Sequence, residues 1–207
     1  MKTLIAIPCM DTVPVPFMWS LLRMEKTEDT RINLASGSLV YDSRNDLIEK
    51  AIIGGFDRVL WLDSDMSFEP DLMLRLNADL DAGLDIVTGV YYERKGRSRP
   101  TIFSECGLKE DGQFKIPYHK FCEDYPKDHI FEIEACGFGC VMMNVSAARK
   151  IVTQLGGKPF MPVAGFGEDL SFCMRARHVG LKIWCDPSVQ CGHVGWKTYT
   201  EDDYRAE

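Results

Sequence analysis

Two carboxylates that are one residue apart follow a continuous apolar run near the middle of the chain. The run 58–62 has the composition of a strand buried on both faces, and Asp63, Ser64 and Asp65 come directly after it. In open α/β sheets, ligands bind beyond the carboxyl ends of the strands. Alternate carboxylates at that position suit a hard divalent cation, Mg²⁺ or Mn²⁺, whose ligand shell is often completed by substrate phosphates. The alternative is that Asp63 and Asp65 only shape the turn, because isolated Asp-x-Asp sequences are common.

A second acidic pair, Glu168 and Asp169, follows the glycines Gly165 and Gly167 at the predicted start of a helix. The helix dipole stabilises acidic residues at this position, so ordinary charge placement is one explanation. The other is a general base, with a pKa that the dipole holds low so that the carboxyl stays ionised at neutral pH. The two glycines would allow a substrate to approach the backbone closely.

A histidine flanked by glycines, His193, follows the last predicted strand. We expect a loop-borne, sterically accessible imidazole at the same edge of the sheet as the aspartate pair. Most single histidines are hydrogen-bonded structural residues, but imidazole is also a ligand for Mn²⁺. His193 is therefore a candidate metal ligand.

The elements that position these groups follow from the alternation of apolar runs, amphipathic stretches and turn residues. Ser43 and Asp46 have capping-box spacing at the start of the second predicted helix, and Gly54 ends that helix. The predicted strands are residues 3–7, 31–35, 58–62, 86–90, 131–135, 140–144 and 181–185. The predicted helices are residues 17–24, 43–53, 70–82, 145–155 and 168–179.

This order of elements predicts an α/β fold with a mostly parallel central sheet flanked by helices. Residues 91–130 are different, because they are rich in Lys, Arg, Gly, Pro and aromatic residues and have no sustained periodicity. They predict long loops or a small antiparallel excursion, and loops of that length in a compact domain are usually functional or mobile.

Composition and charge restrict the classes of function. With 207 residues, of which 45% are hydrophobic and 27% charged, the chain has the composition of one globular domain. Its net charge of −7 disfavours general nucleic-acid binding, which relies on a basic surface. The first apolar run is broken by Pro8 and no run of 18 apolar residues follows, which predicts a chain without a transmembrane segment.

Eight cysteines need a chemical assignment, and none of them forms a Cys-x-x-Cys pair. Disulfides are not expected in a chain without a secretory signal. A zinc site built from cysteines and one histidine is an alternative, but its spacing differs from that of the familiar zinc modules. That alternative set is Cys136, Cys140, Cys191 and His193. We therefore predict buried free thiols.

Taken in order, the motifs resemble those of the GT-A-fold glycosyltransferases, and of family 2-like members in particular. The segment 63–65 is similar to their DXD motif, Glu168 and Asp169 to their later acidic motif, and His193 to their C-terminal metal-binding histidine. Ser43-Arg44-Asn45 resembles a segment that is common in family 2-like proteins. Residues 165–169 are similar to the Gly-Trp-Gly-x-Glu-Asp segment of β-1,4-galactosyltransferases, with phenylalanine where tryptophan is usual.

The resemblance covers nearly the whole chain and implies a single GT-A (Rossmann-like) domain over residues 1–207. Within it, residues 1–90 would form the nucleotide-sugar-binding half and residues 131–207 the acceptor and catalytic half, separated by the excursion 91–130. The implied ligands are a nucleotide-sugar donor, a divalent cation (Mn²⁺ or Mg²⁺) and an acceptor hydroxyl.

The resemblance also implies a role for each matched residue. The implied metal-site residues are Asp65, His193 and Asp63: Asp65 and His193 would bind the metal directly, while Asp63 would contact the ribose or a metal-bound water. Asp169 would deprotonate the acceptor hydroxyl, and Glu168 would hold acceptor hydroxyls or orient the base. The implied donor-binding residues are Pro8, Cys9, Met10, Arg44, Asp63, Ser64, Asp65 and Lys197.

Several of these placements have structural alternatives. Arg44 could be a surface helix residue, and Lys197 could belong to a solvated tail. Gly137 and Gly139, at the entrance of a predicted strand, indicate either acceptor-side backbone or a tight bend. A cluster of cations at the start of the excursion either contacts the acceptor or belongs to a solvated basic loop. Its members are Arg94, Lys95, Arg97 and Arg99.

The Glu-Asp pair favours an inverting enzyme with Asp169 as the base. A retaining enzyme with the same metal site is the alternative, and so is a catalytically silent module that binds nucleotide sugars or glycans. Uridine is the expected donor base because it is the commonest in the superfamily. A nucleotidyltransferase would need a glycine-rich loop after the first strand, and residues 8–12 contain no glycine.

The acceptor stays open between a glycan, a lipid-linked glycan, a protein, a small molecule and a modified nucleobase. Most Golgi glycosyltransferases carry an N-terminal membrane anchor, and this sequence has none. We therefore expect a cytoplasmic enzyme in a bacterial or phage-like setting. The sequence does not predict an oligomeric state.

Overall fold

The computed structural model describes residues 1–37, 39–94, 97–195, 198, 199, 201 and 204, and these residues form an α/β architecture. The strands are β1 (Thr3–Cys9), β2 (Thr30–Ser36), β3 (Arg58–Leu62), β4 (Met66–Phe68), β5 (Ile86–Val90), β6 (Ile102–Asp111), β7 (Phe114–Phe121), β8 (Phe131–Ile133), β9 (Ala135–Cys136), β10 (Cys140–Asn144), β11 (Ile183–Val194) and β12 (Thr198–Tyr199). The helices are α1 (Val15–Arg23), α2 (Val40–Ile53), α3 (Leu72–Asp81), α4 (Val145–Leu155) and α5 (Glu168–His178).

The central sheet has the strand order β12-β11-β5-β10-β3-β1-β2. β1 pairs in parallel with β2 and β3, and β11 pairs in parallel with β5. β10 lies antiparallel between β3 and β5, so the strands on its two sides run in the same direction. The predicted α/β class, with a mostly parallel central sheet flanked by helices, is confirmed.

Alternate side chains of the central strands face two apolar layers on opposite sides of the sheet. In β3, Val59 and Trp61 point into a layer that α2, α4 and α5 cover. Leu60 and Leu62 point into a second layer, which α1 and α3 cover. Because both faces are covered, all five residues of β3 are buried, as its continuous apolar run predicts.

Within the excursion 91–130, residues 102–121 form an antiparallel hairpin, which is one of the two alternatives that the sequence predicts. β6 pairs with β7, and the first residues of β6 also pair with β9 next to the central sheet. The guanidinium of Arg177 on α5 donates to the Cys106 carbonyl at 2.9 Å and fixes the hairpin against this helix. Lys95 and Gly96 lie outside the described residues.

Helix α2 begins earlier than its capping-box pattern predicts. The backbone N–H groups of Asp42 and Ser43 both donate to the Leu39 carbonyl, so Leu39 rather than Ser43 is the N-cap residue. Ser43 lies within the first turns and is buried, and the cap has no side-chain hydrogen bond. The predicted capping box with Asp46 is therefore wrong, while the predicted end at Gly54 is confirmed.

Strand β11 continues to Val194, well beyond the predicted end at residue 185. The continuation pairs antiparallel with β4, and His193 lies opposite Met66. The three residues of β4 are too few for a periodic signal, so the sequence did not predict this pairing. The prediction of a loop-borne, accessible His193 is consequently wrong, because its backbone belongs to a strand and its side chain is 15% exposed.

All eight cysteines are free, and six of them are buried, in agreement with the prediction of buried thiols. None of the helices described here is long and apolar enough to span a bilayer.

Candidate functional site

A cavity of about 710 Å³ opens at the carboxyl ends of the neighbouring strands β1 and β3. Its wall is formed by the end of β1, the start of α2, the turn after β3, the start of α5 and the end of β11. Ten residues that the sequence predicts for the site line this cavity: Pro8, Cys9, Met10, Arg44, Asp63, Ser64, Asp65, Glu168, Asp169 and His193. The remaining predicted residue, Lys197, lies outside the described residues.

The turn between β3 and β4 is fixed by backbone hydrogen bonds at three points. The N–H of Asp63 donates to the Gly139 carbonyl at 3.1 Å, and the N–H of Met66 donates to the Asp63 carbonyl at 3.2 Å. The N–H of Val194 donates to the Asp65 carbonyl at 2.7 Å and ties the turn to the end of β11. The backbone thereby holds the second aspartate of the turn beside the histidine of β11.

Asp65 and His193 form a carboxylate–imidazole pair, with 3.5 Å between Oδ2 and Nε2. His193 Nδ1 lies 2.8 Å from the Tyr92 carbonyl, which can only accept, so Nδ1 carries the proton and Nε2 faces Asp65. Burial raises the pKa of Asp65, but its interactions with His193 and then Arg94 outweigh burial and bring this pKa below its ordinary value. Asp65 is therefore ionised at neutral pH.

Arg94 contacts the same carboxylate from the rim of the cavity. Its Nη1 lies 2.9 Å from Asp65 Oδ2 and donates to the Val194 carbonyl at 2.8 Å. The Arg94 side chain is 41% exposed, so it closes the cavity at a surface position. The sequence indicated Arg94 only as part of a basic cluster, and its contact with the metal-ligand candidates was not predicted.

Arg44 is buried at the centre of the site, with only 2% of its surface exposed. Its Nη2 donates to Asp63 Oδ1 at 2.7 Å, and its Nε donates to Glu168 Oε1 at 3.1 Å. The guanidinium thereby connects the turn after β3 to the start of α5. The alternative of a surface helix residue is wrong, because Arg44 is on the inner side of α2 and compensates two carboxylates.

Asp169 has an unusual electrostatic environment. Burial and then the charge of Glu168 raise the pKa of its carboxyl to about 6, although a hydrogen bond from the Leu170 N–H and the charge of Arg44 oppose this shift. The expectation that the helix dipole holds this pKa low is therefore wrong. A pKa near 6 still leaves most Asp169 side chains ionised at neutral pH, and it makes the carboxylate a stronger base.

Gly137 and Gly139 make room for a buried tyrosine that supports His193. A Cβ atom on Gly139 would lie 2.7 Å from Cζ of Tyr91, and the Gly139 N–H donates to the Tyr91 hydroxyl at 3.2 Å. The Tyr91 ring packs edge-on against the His193 ring, with 5.5 Å between the centroids. Both glycines contact Tyr91 in this arrangement, which favours the tight-bend interpretation.

Arg97 and Arg99 of the predicted cluster do not line the cavity, and Lys95 lies outside the described residues. Arg97 pairs with Glu123 at 3.3 Å, and Arg99 pairs with Glu93 at 3.0 Å. Besides Arg94, several cavity residues between β1 and α1 or near the start of α2 were not predicted from the sequence. They are Asp11, Thr12, Pro14, Gly37, Val40 and Ser43. The position of the first two after a buried strand was an available signal.

The pair formed by Asp65 and His193 fits a divalent cation. Loss of the Nε2 proton to an incoming cation would leave a lone pair on Nε2 beside the Asp65 carboxylate. A carbonyl that accepts the Nδ1–H of a ligating imidazole is the usual supporting contact. Among the described residues, no group of three or more His, Cys, Asp or Glu side chains could hold a metal. A cation bound by this pair would thus need other ligands, which substrate phosphates and water commonly supply.

Comparison with solved structures relates the fold to glycosyltransferases. The crystal structure of A197 from STIV, a viral and glycosyltransferase-like protein, superposes with a TM-score of 0.69 at 19% identity, over 94% of this chain and 86% of that one. The structure of S. aureus TarS 1–349, a GT-A-type glycosyltransferase, superposes with a TM-score of 0.55 at 13% identity, over 89% of this chain and 58% of that one. At these identities the similarity establishes the fold.

No protein-family model matches the chain, and no curated protein matches it in sequence.

Proposed function

We propose that this protein is a metal-dependent glycosyltransferase of the family 2-like type. It would transfer a sugar from a nucleoside diphosphate sugar to an acceptor hydroxyl. The observation that carries this proposal is the convergence of Asp65, His193 and Asp169 in one cavity at the carboxyl ends of β1 and β3. The glycosyltransferase-like fold supports it independently of these residues.

The donor would bind along the floor of the cavity. Pro8, Cys9 and Met10 at the end of β1 would border the nucleobase, for which we propose uracil. Asp63 would contact the ribose, in the position that its bond to the buried Arg44 fixes. The volume of about 710 Å³ is within the range of pockets that take ligands of this size.

Asp65 and His193 would hold Mn²⁺ or Mg²⁺ between the protein and the donor diphosphate. When bound, the cation would neutralise charge on the departing nucleotide. The chain prepares this site in two ways: the Tyr92 carbonyl orients the His193 ring, and the backbone bond from Val194 holds the turn that carries Asp65.

Asp169 would take the proton from the acceptor hydroxyl as that oxygen attacks the anomeric carbon, which gives inversion. A carboxylate with a pKa of about 6 matches this task, because the ionised form prevails at neutral pH while basicity is raised. Glu168 is bound to Arg44, which leaves it suited to orient acceptor hydroxyls rather than to accept a proton. A retaining reaction at the same metal site is the alternative.

The test is a donor screen that measures nucleotide release from UDP-sugars with Mn²⁺. We expect turnover that EDTA removes and added Mn²⁺ restores. Asp65→Ala should lower turnover at least about 100-fold, because one of two protein ligands is lost. Asp128→Ala is a suitable control, since that carboxylate is 87% exposed and lies outside the cavity.

Full turnover in the Asp65→Ala variant would contradict the proposed metal site. If UDP with Mn²⁺ binds but no donor is turned over, the silent nucleotide-sugar-binding module would be the correct alternative. The acceptor class and the cytoplasmic setting stay predictions from the sequence.

A further inference from the structure

We infer that Arg94 is a placeholder cation, which occupies the Asp65–His193 site until a divalent cation displaces it and then binds the donor diphosphate. This inference rests on the proposed function, because it concerns the same site. It assigns a regulatory and a positioning role to a residue outside the three motifs.

The geometry places two cations in competition for one oxygen. Arg94 Nη1 lies 2.9 Å from Asp65 Oδ2, and the same Oδ2 lies 3.5 Å from His193 Nε2. A metal ion that binds both Oδ2 and Nε2 must therefore approach the atom that the guanidinium already contacts. Because like charges at such short distances repel strongly, metal binding and the Arg94 contact oppose each other.

The ion pair between Arg94 and Asp65 is weak enough for a metal ion to displace it. The Arg94 side chain is 41% exposed, and partly exposed ion pairs of this kind are weak. Its other partner is the Val194 carbonyl, which accepts a single hydrogen bond from the guanidinium. The residue two positions earlier, Tyr92, is buried, so the guanidinium can leave while the backbone that orients His193 stays in place.

The charge inside the cavity indicates where the freed guanidinium goes. Five carboxylates line the cavity: Asp11, Asp63, Asp65, Glu168 and Asp169. Arg44 and Arg94 are the lysine or arginine residues among its described lining residues, and Arg44 is committed to two of the carboxylates. A diphosphate in this acidic cavity needs positive charge besides the metal, and guanidinium groups bind phosphate oxygens in a bidentate manner.

We expect Arg94→Gln to raise the affinity for Mn²⁺ alone and to lower the affinity for UDP at saturating Mn²⁺. Without the competing guanidinium, Mn²⁺ alone should bind about five-fold more tightly than to the unmodified protein. Without the phosphate contact, UDP at saturating Mn²⁺ should bind about five-fold more weakly. Arg97→Gln is the matched control, because Arg97 lies in the same segment, pairs with Glu123 and does not line the cavity. Both affinities should be unchanged in that variant.

The measurement is isothermal titration of each protein with MnCl₂ alone and then with UDP at saturating Mn²⁺, after thermal unfolding confirms that both variants are folded. Mn²⁺ affinity that is unchanged or lower in Arg94→Gln would overturn the placeholder role. Such a result would leave the proposed function intact as long as UDP and Mn²⁺ bind to the unmodified protein. Absence of Mn²⁺ and UDP binding to all three proteins would overturn the proposed function, and the placeholder role with it.

Discussion

The carboxylates in the cavity differ in whether a cationic side chain pairs with them. Arg44 forms ion pairs with Asp63 and Glu168, and Asp65 is paired with His193 and Arg94. Asp169 has no such close pair in the described structure, and burial together with the charge of Glu168 raises its pKa to about 6. The difference between these carboxylates indicates that Asp169 is the one suited to take up a proton.

At the residue scale we predict that turnover falls as the pH drops through about 6, because protonated Asp169 cannot accept a proton. Asp169→Asn should lower kcat by about 10²–10⁴-fold while UDP binding stays nearly unchanged. A pH–rate profile of the unmodified protein, with UDP titrations of both proteins, measures this. Undiminished kcat in Asp169→Asn would place the base elsewhere.

The raised pKa of Asp169 also makes the free energy of unfolding depend on pH. The folded-state pKa of about 6 exceeds the ordinary value of 3.8, so the folded protein binds more protons than the unfolded chain between these values. This carboxyl therefore makes the fold less stable as the pH rises from about 4 to 6. Asp169→Asn should consequently raise the free energy of unfolding by about 1–2 kcal/mol at pH 8 and by much less near pH 4.

Among the elements, the bend between β9 and β10 determines how closely Tyr91 approaches the site. Gly137 and Gly139 lie against the Tyr91 ring, and the Gly139 carbonyl accepts the N–H of Asp63. The same bend thus supports the turn of the first acidic motif and, through Tyr91, the ring of His193.

At this scale we predict that Gly139→Ala destabilises the fold by about 1–3 kcal/mol, because the new methyl group overlaps Tyr91 Cζ at 2.7 Å and Met66 Sδ at 3.1 Å. The displaced Tyr91 should also weaken Mn²⁺ binding through His193. Gly107→Ala is the control, since nothing lies within 4 Å of its added Cβ. Thermal unfolding and Mn²⁺ titration test both variants, and equal behaviour of the two would contradict the role of the bend.

The wall of the cavity is formed by segments that lie far apart in the sequence. Arg44 contacts Glu168 across 124 positions of the chain, and His193 contacts the Tyr92 carbonyl across 101 positions. These contacts exist only when the sheet and the layer that contains α2 and α5 are assembled. Ligand binding at the cavity is therefore coupled to the stability of the complete fold.

For the molecule as a whole we predict a cooperative increase in Tm with UDP and Mn²⁺ together. At ligand concentrations about 100-fold above Kd, binding to the folded state contributes about 2.7 kcal/mol. For a chain of this size that corresponds to a rise of roughly 5–10 °C. UDP or Mn²⁺ alone should give clearly smaller shifts, and EDTA should reverse the joint effect. Equal shifts with UDP in the presence and absence of Mn²⁺ would contradict a metal–nucleotide site.

Much of the architecture was predictable from local patterns. The strands 58–62, 86–90 and 140–144 and the helix 145–155 have the predicted bounds, because continuous apolar runs and terminal glycines act over a few residues. The antiparallel excursion and the buried free cysteines were also expected. The start of α2 and the length of β11 were not, because a carbonyl at Leu39 and the partner strand β4 decided them.

By itself, the sequence determined the residue types of the site and their order along the chain: the aspartate pair, the Glu-Asp pair and the histidine. Only the tertiary structure decided their electrostatic states. Packing of α2 buries Arg44 between Asp63 and Glu168, the loop after β5 carries Arg94 to Asp65, and burial raises the pKa of Asp169. These states depend on distances between residues far apart in sequence and on the burial of polar groups, which local apolar patterns do not predict.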